Sequence, residues 1–70
     1  MAFEDYKVVL YRNQPDGWVA EIPAIPGCHA LMMTPEAALK ELRGVFEMYA
    51  EAFRESGKAF PADTTEIVNA

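Results

Sequence analysis

The sequence predicts a small α+β domain of order βββαβ, and three observations carry that prediction. A turn-forming run, Asn13-Gln14-Pro15-Asp16-Gly17, separates two segments rich in β-branched and aromatic residues. A proline-rich break, Pro23-Ala24-Ile25-Pro26-Gly27, ends the second segment. Thr34-Pro35-Glu36 then opens one long amphipathic stretch.

Taken in order, residues 6–11 form the first strand and fold back through the Pro-Asp-Gly turn onto a second strand at residues 18–22. Pro23 and Pro26 have no N–H to give a ladder and Gly27 accepts a positive φ, so the chain turns before a third strand at residues 28–33. The result is a three-stranded antiparallel meander. Thr34 caps the helix that follows, Pro35 suits its first position, and Glu36 sits at the positive end of its dipole. Leu39, Leu42, Phe46, Tyr49 and Phe53 recur at steps of three and four, and Ala38, Val45 and Ala52 widen this apolar stripe toward the sheet. Ser56-Gly57 supplies a left-handed stop, and Thr64-Thr65-Glu66-Ile67-Val68 reads as a short final strand.

One helix covers only one face of a sheet. By the two-residue period, Tyr6, Val8 and Leu10 share the core face with Trp18, Ala20 and Ile22, leaving Lys7, Val9, Tyr11, Val19 and Glu21 on the other. A chain of 70 residues buries only about 60% of the surface its unfolded form exposes. Its single cysteine excludes an internal disulfide. The expectation is a homodimer or larger even assembly through Val9, Tyr11 and Val19.

Composition narrows the function. With 51% hydrophobic residues the chain still holds no apolar run near the roughly 20 residues that cross a bilayer, and Met-Ala-Phe-Glu-Asp lacks the basic region of a signal peptide. A cytoplasmic domain with no membrane association is expected. Eleven acidic residues against six basic ones give a charge of −5, which disfavours direct nucleic-acid binding and suits a basic partner.

No pattern for catalysis, cofactor or metal emerges, so none is assigned. Cys28 and His29 are the only soft ligands, and the plain reading is a buried thiol beside an exposed imidazole. A two-fold axis would be needed to gather a Cys2His2 zinc site from two copies, but neighbours on a strand point to opposite faces, which also denies Cys28 a base. Glu47, Glu51 and Glu55 recur every four residues as a carboxylate ridge. The plain reading is a solvated face eased by Arg43 and Arg54; the functional one is contact with a basic partner. Gly44 inside the helix marks either close backbone approach or simple tolerance, and Met32 and Met33 are either gap-fillers or adaptable contacts.

Tyr6-Lys7-Val8-Val9-Leu10, Asp16-Gly17-Trp18-Val19-Ala20-Glu21-Ile22-Pro23, Ile25-Pro26-Gly27-Cys28, Thr34, Glu36 and Ala38-Leu39 together resemble the N-terminal domain of HicB-type antitoxins. The likeness spans nearly the whole chain, so residues 1–70 read as a single HicB-like domain. It implies a partial ribonuclease-H-like layer with the final strand beside the first, and binding and masking of a small basic ribonuclease toxin. Met32 and Ala37 depart from a Gly and an acidic residue common in the family. Family members continue into a DNA-binding domain with no counterpart in residues 1–70, so operator binding is not carried over. The alternative is an orphan homo-oligomeric domain with a structural or regulatory role. Despite the ribonuclease-H-like outline, Val8, Val9 and Leu10 stand where two-metal chemistry would need carboxylates, so no enzyme is expected.

Overall fold

The structure is a computed structural model that describes residues 2–69. A single 3-10 turn, Phe3–Asp5, precedes strand β1 (Val9–Arg12), strand β2 (Trp18–Glu21), strand β3 (His29–Met32) and helix α1 (Pro35–Ser56). The sheet is an antiparallel meander in the order β1-β2-β3, with α1 laid chiefly over β2 and β3. The expected α+β architecture and βββα order are present.

Each connection follows from local chemistry. In the β1–β2 turn the Asn13 N–H donates to the Gly17 carbonyl at 3.0 Å, the Asn13 side-chain amide donates to the Asp16 carbonyl at 3.1 Å, and Gly17 takes φ +92. The proline-rich loop closes on itself through Ile22 N–H to the Cys28 carbonyl at 3.0 Å and Cys28 N–H to the Ile25 carbonyl at 3.0 Å. Gly27 there has φ +83, and an added Cβ would lie 2.7 Å from the Tyr49 hydroxyl oxygen, so both conformation and space call for glycine. The Thr34 hydroxyl accepts the Ala37 N–H at 3.1 Å, and α1 ends at Gly57 with φ +72.

The core gathers Tyr6, Ala20, Ile22, Ile25, Cys28, Ala30, Ala38, Leu42, Phe46 and Ala50. Phe46 is its centre, with ring centroids 5.6 Å from Phe3, 5.8 Å from Tyr6 and 6.2 Å from Phe60. The helix stripe follows expectation over most of its length, with Val45, Tyr49 and Phe53 partly buried against the core, and departs from it at Leu39, Ala50 and Ala52. Ala38, Leu42, Phe46 and Ala50 are buried, whereas Leu39 is 39% exposed and Ala52 faces outward. Leu10, expected in the core, is 38% exposed, because its strand lies beyond the area that α1 covers. Met32 and Met33 are exposed and fill no core gap, and nothing lies within 4 Å of a Cβ built on Gly44. Tolerance, not close approach, accounts for that glycine.

The expected final strand at residues 64–68 is not formed: residues 58–69 contain no strand. Asp63 explains why. Its carboxylate accepts the Thr65 N–H at 3.0 Å in a local turn and the Lys7 N–H at 2.7 Å. The first bond bends the chain and the second uses an N–H that a ladder would need. Ile67 and Val68 remain exposed. The segment nonetheless returns to the residues that precede β1, since the Tyr6 hydroxyl donates to the Pro61 carbonyl at 2.6 Å.

Candidate functional site

Two surfaces lie on opposite sides of this two-layer domain. The first is the sheet face that α1 leaves uncovered. Register pairs Tyr11 with Val19 and Val19 with Leu31, so three apolar side chains form one row across the sheet. A second row runs Val9, Glu21, His29. Tyr11 is 46% and Leu31 54% exposed, while Val9 and Val19 are half-buried among these neighbours. The structure thus brings Val9, Tyr11 and Val19 together on an open face as the two-residue period predicts. It adds Leu31, which sequence reading overlooked; its position one residue after buried Ala30 was the available signal. Glu21 is the only acidic residue in these rows.

The second surface is the outer side of α1, where Glu47, Glu51 and Glu55 are all exposed. Arg43, read from sequence as easing their repulsion, is directed elsewhere. Its guanidinium donates to the Glu4 carboxylate and sits 4.6 Å from the centre of the Phe3 ring. That bond holds the Glu4 carboxyl below its ordinary value. Among the described residues this is the only ion pair within 4 Å, so Glu47, Glu51 and Glu55 have no cation at that distance. On the same side Met48 is 71% exposed and, with Tyr49 and Ala52, lines a shallow depression.

Cys28 and His29 point apart. Cys28 is buried, and burial pushes its thiol above the ordinary value, the opposite of nucleophile activation. His29 is exposed on the open sheet face. Among the described residues no three His, Cys, Asp or Glu side chains gather as a metal site, and no helix is long and apolar enough to cross a membrane.

No protein-family profile matches the chain, and no solved structure does. Two curated proteins are similar over nearly full length. The UPF0150 protein ssl0259 of Synechocystis is 36% identical over 63 residues, covering 90% of this chain and 86% of that protein. The UPF0150 protein Ta0767 of Thermoplasma acidophilum is 26% identical over 63 residues, covering 90% and 91%. With more than a third of aligned positions identical across most of both chains, this protein belongs to the UPF0150 family.

Proposed function

We propose that this chain is a non-enzymatic, cytoplasmic protein-interaction domain that acts as HicB antitoxins do, self-associating and masking a small basic ribonuclease. The observation that carries the reading is its two-sided layout. An apolar sheet face, nearly free of acidic residues, suits a second copy, and a carboxylate-rich helix face whose Glu47, Glu51 and Glu55 have no cation within 4 Å suits a positively charged partner. The likeness to HicB antitoxins supplies the class of that partner.

Co-expression with the product of the adjacent gene tests the reading. Co-purification together with relief of that product's toxicity is the expected result. A neighbour that neither co-purifies nor loses toxicity removes the antitoxin role. The orphan-oligomer reading then takes its place, because the uncovered row Tyr11, Val19 and Leu31 favours self-association without any toxin. RNA cleavage with magnesium or manganese that tracks with protein concentration through repurification would overturn the non-enzymatic part.

A further inference from the structure

The outer side of α1 holds more than charge. Helix geometry places Gly44 and Ala52 four residues on either side of Met48, one turn below and one above it, over about 12 Å. Nothing stands within 4 Å of the Gly44 Cβ position, Met48 is 71% exposed, and a depression of about 260 Å³ opens between Met48, Tyr49 and Ala52. A large unbranched side chain between two small ones leaves room for another backbone to approach, and Met adapts its shape to what it meets. Around this apolar strip stand Glu41, Glu47, Glu51 and Glu55, all exposed, against two exposed cations on the same helix besides Arg43, Lys40 one turn before Gly44 and Arg54 beside Glu55, so carboxylates outnumber cations there.

We infer that this strip is a docking groove for a lysine- or arginine-rich amphipathic helix of a partner protein, whose apolar side chain enters beside Met48 while its cations meet the flanking carboxylates. The inference rests on the reading of a basic partner given above and assigns the surface that receives it. Charge decides among occupants. A second copy would bring four more carboxylates against these four, whereas the sheet face offers copies an approach almost without acidic groups. The chain's own C-terminal segment is held elsewhere: Phe60 packs against Phe46 and Phe53 on the core side, and Asp63 is bonded to Lys7.

The test uses the whole chain, labelled for NMR, and a short synthetic Leu/Lys amphipathic helical peptide as probe. Shifts centred on residues 44–55 are expected. Met48→Glu separates apolar docking from plain attraction, because it adds an acidic charge yet fills the groove with a carboxylate. It should weaken binding about tenfold. Ala52→Glu should act in the same direction, whereas Tyr11→Lys on the sheet face should leave the shifted residues unchanged. Both helix positions are exposed, so circular dichroism should show parent-like folding. Absence of binding, shifts centred on the sheet, or Met48→Glu binding as tightly as the parent or more so would each overturn the inference. The peptide is not the product of the adjacent gene, so failure here leaves the antitoxin reading standing, and failure of co-purification leaves the groove standing.

Discussion

The Asp63 carboxylate accepts the backbone N–H of Lys7 at 2.7 Å, joining positions 56 residues apart. With the Tyr6 hydroxyl on the Pro61 carbonyl, this bond returns the segment after α1 to the segment before β1. Phe60 is carried back onto Phe53 and Phe46, with ring centroids 5.3 Å and 6.2 Å away. Lys7 and Thr65 hydrogen bonds hold the Asp63 carboxyl below its ordinary value of 3.8, so the folded state prefers the carboxylate. That contribution is complete above the unfolded value and is lost as pH falls through the lowered one. Asp63→Asn should therefore be less stable than the parent at neutral pH, with the difference closing as pH drops below 3.8. Denaturant melts across that range check it; a difference that grows in acid contradicts the assignment.

Phe46→Ala should destabilise the fold by about 3–5 kcal/mol, because the ring is 2% exposed and Phe3, Tyr6 and Phe60 all pack around it. For so small a domain that amounts to substantial unfolding. Leu42→Ala, also fully buried, should cost about 2–5 kcal/mol. Met48→Ala, on the opposite side of the same helix, should change stability by less than about 0.5 kcal/mol. Equal effects at Phe46 and Met48 in denaturant melts would show that the helix face is misplaced.

Two glycines should respond in opposite directions. Gly27→Ala forces a side chain into φ +83 with its Cβ 2.7 Å from the Tyr49 hydroxyl oxygen, and should cost at least about 1–2 kcal/mol. Gly44→Ala meets nothing within 4 Å inside a helix and should stabilise by about 1 kcal/mol. Thermal melts of the two variants decide both claims, and destabilisation by Gly44→Ala would reveal a close approach that the fold does not contain.

These contrasts show which features a sequence can carry. The Thr34 cap, the Gly57 stop and the Gly17 turn were legible because each depends on a few adjacent residues. The open sheet face was legible because side chains alternate, although faces were assigned on the first two strands alone, which left Leu31 out. The helix face was legible at Leu42 and Phe46 from their spacing, but its edge was not: Leu39 and Ala38 are neighbours, and which one is buried depends on where α1 docks over β2 and β3. Ile25, 1% exposed within a proline-rich loop, owes its burial to tertiary packing that no periodicity reports. Residues 64–68 have strand composition, but Asp63 diverts two N–H groups to its own carboxylate. On the candidate partner surface, the carboxylate ridge was legible from spacing; the turning of Arg43 toward Glu4 and Phe3, 39 or more positions away, was not.

That turning has a kinetic consequence. With Arg43 occupied, the field over Glu47, Glu51 and Glu55 is less compensated, and a cationic partner should be steered toward it. The Debye length falls from about 10 Å at 0.1 M to about 3 Å at 1 M, so association should slow steeply with salt while dissociation changes less. Reversing both Glu47 and Glu51 to Lys should slow association with a co-purified basic partner. Stopped-flow rates unaffected by salt and by the double reversal would mean that the ridge takes no part in encounter.

The uncovered sheet face makes the last prediction. Tyr11, Val19 and Leu31 lie side by side in register, and Val9 adjoins them, on a face that α1 cannot reach because it packs against the other one. A row of exposed apolar groups beside a single carboxylate, Glu21, is where two copies of charge −5 can approach with least repulsion. The parent should therefore be a dimer or larger even assembly by light scattering at about tens of micromolar. Leu31→Lys or Tyr11→Lys should convert it to a monomer that keeps its helix content, because both positions are exposed and their cations would face each other across the contact. Met48→Lys, on the helix side, should leave the assembly intact. A monomeric parent, or dissociation by Met48→Lys but not by Leu31→Lys, would place self-association elsewhere on the molecule.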